Sequence, residues 1–174
     1  MEDELFQVEI RMCSDLEVCQ RILNEIKKTY NQEHYLEEGV LAPYELCLDE
    51  EPLYKIKQRY DAFIKQLISV GLQKFAPQDE DGRLYSAVEA YGASNNVLIY
   101  FEKSGEYISR VGVILDIEDD QDLIHANKLL SVLNSLGECF LVDWGWMFIG
   151  ALDDRKIIDE YLEDRLRIFS THKH

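Results

Sequence analysis

No stretch of the sequence comes near the roughly 18 consecutive apolar residues that a membrane-spanning helix requires. The opening residues, MEDELFQVEI, also lack the basic region and apolar run of an export signal. Cysteine is sparse and irregular. Cys13, Cys19, Cys47 and Cys139 form no CxxC pair and have no histidine at ligand spacing, which excludes a zinc knuckle and a thiol redox motif. Together these absences predict buried free thiols, no membrane contact and a reducing, cytoplasmic setting. Signatures of catalysis are missing as well: there is no GxSxG elbow, no phosphate loop ending in GKS or GKT, no GxGxxG and no HExxH. We therefore assign no catalytic residue, no cofactor and no metal, and do not expect an enzyme.

Basic residues are the other deficit. Eighteen Lys and Arg stand against 34 Asp and Glu, for a formal charge of −16. Such a surplus repels nucleic acid and anionic lipid, keeps the free chain monomeric, and speeds encounter with cationic proteins. The imbalance is local. Residues 29–54 hold no Lys or Arg but carry Glu33, Glu37, Glu38, Glu45, Asp49, Glu50 and Glu51 among Tyr30, Tyr35, Tyr44 and Tyr54. In residues 111–154 only Lys128 opposes nine acids. Carboxylates beside tyrosines suit Lys and Arg, since the acid offers a charged hydrogen bond and the ring a face for the cation. The remaining composition, 47% hydrophobic with 11% aromatic, is that of a folded chain, and 174 residues fit one domain spanning 1–174.

Periodicity supplies the elements. In ELFQVEIRMC, Phe6, Val8, Ile10 and Met12 alternate with Gln7, Glu9 and Arg11, which predicts a half-buried strand. Ser14 and Glu17 match a capping box for a helix whose apolar stripe is Leu16, Cys19, Leu23, Ile26 and Tyr30. After a loop over residues 31–50, a second helix is predicted from Pro52 to about Gly71, with Leu53, Ile56, Tyr60, Phe63, Ile64, Leu67 and Ile68 as its core face. Residues 73–82 read as a loop. Three strands follow, RLYSAVEAY, NVLIYF and EYISRVGVILDI, joined by the turn sequences GASN and KSG. A third helix over residues 119–136 carries Leu123, Ala126, Leu130 and Leu133 and stops at Gly137. ECFLVDW and WMFIGA make two more strands, and a last helix starting at Asp153 or Asp154 buries Ile158, Tyr161, Leu162 and Phe169. This order predicts an α+β domain: a mostly antiparallel sheet of about five or six strands with about four helices packed on it. The step from VGVILDI through one helix to CFLVDW allows a parallel crossover, and so a mixed sheet.

The chemistry-bearing stretch is DIEDDQD, residues 116–122, with five carboxylates in seven positions. A calcium loop fails here, because the sixth residue is Gln121 where a Gly must bend the chain, and the twelfth is Asn127 where a Glu must close it. Asp122 and His125 stand three apart on a helix but have no second Glu-x-x-His partner. Asp119 or Asp120 as N-cap, with Asp122 in the first turn, accounts for two or three of the acids through the helix dipole. In WGW, a continuing strand would set Val142, Trp144, Trp146 and Phe148 on one side, with at least one indole accessible beside Asp143.

The acid-and-tyrosine segment YNQEHYLEEGVLAPYELCLDEE, the DIEDDQD string and the strand FLVDWGWMFIG give a chain that resembles, in size and character, the immunity proteins of bacterial toxin systems, contact-dependent growth inhibition among them. That resemblance implies a non-catalytic inhibitor that binds and neutralises a cognate toxin domain, here a basic nuclease whose phosphate-binding Lys and Arg would meet the carboxylates. The expected contact residues are Tyr35, Glu37, Glu38, Tyr44, Asp49, Glu50, Asp116, Glu118, Asp119, Asp120, Asp122, Asp143 and Trp144, the aromatic ones acting as anchors. Two other readings share the same features: an adaptor binding some other basic protein, and a small hydrolase using Asp or Glu, with or without a metal.

Overall fold

Seven strands and four α-helices are present in the computed structural model, which describes residues 8–32, 59–76 and 89–172. In chain order they are β1 (Val8–Met12), α1 (Leu16–Gln32), α2 (Tyr60–Ser69), β2 (Gln73–Phe75), β3 (Glu89–Gly92), β4 (Val97–Ser104), β5 (Tyr107–Leu115), α3 (Asp120–Asn134), β6 (Cys139–Asp143), β7 (Phe148–Ala151) and α4 (Arg155–His172). The class is α+β, as the sequence pattern predicts. The strands form one sheet in the order β2-β3-β4-β5-β1-β6-β7, and every pairing is antiparallel.

The possibility of a mixed sheet is thereby corrected. β5 and β6 do run in the same direction, but β1 lies between them and is antiparallel to both, so the crossover through α3 steps over a strand instead of making a parallel pair. The seventh strand is β2, in a segment whose polarity suggests a loop; edge position explains this, since Gln73 and Lys74 face solvent while their backbone completes the ladder.

Register fixes two faces. One row across the sheet is Glu89, Phe101, Val111, Ile10, Leu141, Gly150. This face carries the main core, where Phe63 and Leu67 of α2, Ala126, Leu129, Leu130 and Leu133 of α3, and Ile158, Tyr161 and Leu162 of α4 pack on the strands. The next row, on the opposite face, is Phe75, Ala90, Tyr100, Gly112, Glu9, Val142, Ile149. There α1 lays Cys19, Ile22, Leu23 and Ile26 against Phe140, Val142 and Trp144.

Because α1 covers this second face, β1 is not half-buried. Glu9 and Arg11 are both buried and neutralise one another: Arg11 Nε donates to Glu9 Oε2 at 2.9 Å, Arg110 donates to Oε1 from Nε at 3.0 Å and also from Nη2, and the Trp144 indole N–H reaches Oε2 at 3.4 Å. Removing one member of such a buried set leaves an uncompensated charge.

Helix boundaries follow local chemistry. Asp119 caps α3, its Oδ1 accepting the N–H groups of Gln121 and Asp122 at 2.9 Å each, and the helix stops before Gly137. Asp154 serves α4 in the same way through the N–H of Ile157 at 3.3 Å. The capping box of α1 is not used: residues Cys13–Asp15 form a 3₁₀ turn, and the Ser14 hydroxyl donates to Asp15. α2 begins at Tyr60, not Pro52, because Arg59 is extended and bridges to Tyr107; residues 52–58 lie outside the described set. Ile68, expected in its core face, is exposed. The side chains of Tyr30 and Phe169 are outside the described set, as is Phe6.

The absent side chain of Gly112 is filled by Tyr100: a Cβ there would lie 2.3 Å from the Tyr100 ring. Gly112→Val should destabilise the fold by about 1–3 kcal/mol, read as a lowered denaturant midpoint with unchanged slope. An unaltered midpoint would show that the ring moves aside freely.

Candidate functional site

The carboxyl ends of β5 and β6 converge on the first turn of α3 and the middle of α4, and this corner gathers the acids that the sequence singles out. Arg165 organises it. Its helical position, four and seven residues after Tyr161 and Ile158, puts it on the buried face of α4. The guanidinium donates from Nη1 to Asp143 Oδ2 at 2.7 Å and from Nε to the carbonyl of Leu115 at 2.6 Å, while Nη2 stands 3.6 Å from Asp116 Oδ1. Tyr161 donates its hydroxyl to the same Asp143 oxygen at 2.8 Å. The other Asp143 oxygen accepts the backbone N–H of Trp146 at 3.0 Å, which fixes the turn between β6 and β7.

Trp146 closes the arrangement. Its ring lies under the Arg165 guanidinium at 4.7 Å and meets Tyr161 edge-on with centroids 6.0 Å apart, and it remains 39% exposed. The strand does not continue through WGW as its alternation suggests: residues 144–147 turn, and Met147 takes a left-handed φ of 52° that a non-glycine residue adopts only under local constraint. The turn separates the two indoles. Trp144 faces Glu9 beneath α1 and is 7% exposed, whereas Trp146 faces outward beside Asp143.

Each acid of residues 116–122 now has a place. Asp119 is the cap. Asp122 is buried and latches the turn at residues 93–96, accepting from Asn96 Nδ2 at 3.0 Å, Ser94 Oγ at 3.3 Å and the N–H of Glu118 at 3.2 Å. It is thereby directed away from His125, whose Nε2 lies 3.2 Å from Gln121 Nε2. Asp116 pairs with Arg165; burial pushes its carboxyl above the usual carboxylate range, and the Arg165 charge offsets this only in part. Glu118, Asp119 and Asp120 are exposed.

Of the expected contact residues, Asp116, Glu118, Asp119 and Asp120 share one accessible corner. Asp122, Asp143 and Trp144 do not belong on a docking surface, because each is buried and bound to its own chain. Tyr35, Glu37, Glu38, Tyr44, Asp49 and Glu50 lie outside the described residues, as does Cys47. Among the described residues no three His, Cys, Asp or Glu side chains gather as metal ligands, and no helix is long and apolar enough to cross a membrane. Burial pushes the Cys19 and Cys139 thiols up to about 11, and Cys13, half-buried, is also raised, first by burial and then by Glu138 and Asp153. Such thiols are weak nucleophiles at neutral pH.

A second polar cluster sits at the far edge of the sheet. Glu89 accepts from Tyr60 Oη at 2.6 Å and Lys103 Nζ at 2.7 Å, Lys74 approaches at 3.4 Å, and Lys103 also lies 4.3 Å over the Tyr60 ring. This set ties α2 to β3 and β4. Comparison with known proteins returns no matching family model, no matching curated protein and no matching solved structure.

Replacing Arg165 by Leu should cost about 3–5 kcal/mol, since Asp143 would be left charged and buried. Joining it to Asp143→Leu should recover a large part of that loss. Calorimetry of both variants checks this, and a double variant as unstable as the single one would show that the pair itself is stabilising. Tyr161 and Tyr60 provide a pH test. The Tyr161 phenol is raised by burial and by Asp143, that of Tyr60 by its hydrogen bond to Glu89, so the folded chain keeps both protons where the unfolded chain loses them. Their contribution is complete below pH about 10 and is lost as pH climbs through the raised values. Stability should therefore fall as pH rises above about 10, and denaturant midpoints across that range should decline less steeply for Tyr60→Phe and for Tyr161→Phe than for the parent chain.

Proposed function

We propose that the chain is an acidic inhibitor that docks on and neutralises a cationic protein, of the kind a bacterial toxin nuclease domain presents, and that it acts by adhesion without chemistry of its own. The observation that carries this reading is the exposed carboxylate run of Glu118, Asp119 and Asp120 at the junction of β5 and α3, on a chain whose net charge is −16. A nuclease must expose Lys and Arg to phosphate, so a surface of this sign raises the encounter rate toward 10⁸ M⁻¹s⁻¹ at low salt, on the order expected for steered protein pairs. The structural duties of Asp116, Asp119 and Asp122 support the reading in a second way. They hold the run in a fixed shape, and preorganised charge loses less entropy on association.

The test is capture at low salt from the cell that makes the chain, identification of the retained protein by mass, and assay of that protein's activity on nucleic acid with the chain added. One-to-one loss of activity of a cationic protein is the expected result. Retention of an anionic protein, or an activity that the chain leaves intact, would overturn the proposal. Asp119 must be spared in mapping the contact, because its loss uncaps α3. Glu118→Lys with Asp120→Lys should slow association about tenfold and flatten its salt dependence, with dissociation little changed. Equal rates for the variant and the parent chain would clear this corner.

A further inference from the structure

We infer that the docking face is anchored by Trp146, and that the segment it receives presents an Arg or Lys beside an apolar side chain; this rests on the cationic-partner reading above. An apolar strip runs along the β7 and α4 side of the molecule. Gly150 leaves room there, since a Cβ in its place would stand 2.6 Å from the Phe148 ring and 3.1 Å from Ile157 Cγ2. Phe148 stacks on Tyr161 with centroids 4.3 Å apart, and Tyr161 in turn supports Trp146. Ile157 at 38% and Trp146 at 39% are the exposed ends of this strip.

Three properties make Trp146 an anchor. Its position is set in advance: the backbone is held by Asp143, and the ring is held by Arg165 and Tyr161, so little conformational freedom remains to be lost on binding. The turn that carries it presents the ring outward, 39% exposed, at the end of the apolar strip. Its surroundings give the sign of the partner. Arg165 touches both the indole and Asp116, so the apolar strip ends where the acidic corner begins, and Arg165 itself is already neutralised by Asp143. A partner surface that continues from apolar to cationic matches that sequence of environments, whereas a second copy of this chain would bring like charge against it.

The two-tryptophan composition makes the test direct. In Trp144→Phe the emission reports Trp146 alone, and caesium should quench it more than iodide at equal ionic strength. A nonapeptide of Arg and Leu should bind with a saturable, salt-sensitive change in that emission and shield it from caesium; the same peptide with Glu for Arg should not. Trp146→Ala should weaken peptide binding about tenfold or more, and Trp146→Phe, which keeps the packing on Tyr161, should melt like the parent chain and retain most of the affinity. Iodide quenching equal to that of caesium, or binding by Trp146→Ala within about twofold of the parent, overturns the inference. The two proposals fail separately. If a cationic protein is neutralised equally well by Trp146→Ala, the anchor is wrong and the inhibitory role stands. If the peptide seats on Trp146 while no cationic protein is neutralised, the anchor stands and the role is wrong.

Discussion

A guanidinium removed from water has to be met on every side, and Arg165 is met by four different parts of the chain. The end of β5 gives a backbone carbonyl, the end of β6 gives Asp143, the segment leading to α3 gives Asp116, and the hairpin turn gives the face of Trp146. None of these groups can be re-aimed alone. The buried charge makes a loose arrangement costly, because each lost contact exposes a desolvated cation to nothing. The accessible corner inherits its rigidity from this clasp.

The acidic excess therefore has two populations that composition cannot separate. Asp122, Asp143 and Glu9 are interior acids, each with donors arranged around it, and they specify which turn meets which strand. Glu118 and Asp120 face solvent, and Asp119 does both jobs, capping a helix while remaining exposed. Charge in the first group is balanced inside the molecule. The second group contributes to the outward field together with exposed acids elsewhere, Glu17, Asp153, Glu160 and Glu163 among them, and it sits where Asp122 holds the backbone.

What could be read from the residues alone follows from the range of the interactions involved. Asp119 as a cap and the buried stripes Ala126, Leu130, Leu133 and Ile158, Tyr161, Leu162 are set within one or two helical turns, and the linear pattern shows them. The placement of β1 between β5 and β6 is a contact between distant segments with no local signature. So is the cover that α1 gives to Glu9 and Arg11, where alternation correctly marks two faces but says nothing of what lies over the polar one. Trp144 and Trp146 exchanged their expected prominence for a similar reason: a turn, not a strand, carries them, and Gly145 between two aromatics reads equally well as either. The sequence does carry a signal for Arg165. Its spacing from Ile158 and Tyr161 sets it on the apolar face, and a lone cation there calls for a buried acid elsewhere.

The position of β1 has a consequence for the order in which the molecule can come together. Its two neighbours end at residues 115 and 143, so this strand emerges from the ribosome long before either edge that will receive it. Until then Ile10 has no ladder and the Glu9–Arg11 couple stands in water, where a charged, alternating segment is poorly suited to stray pairing. The polar residues that cost solvation energy in the finished sheet thus make the unpaired strand a poor template for stray pairing, and the centre of the sheet joins segments far apart in the chain, the kind of non-local contact that slows folding.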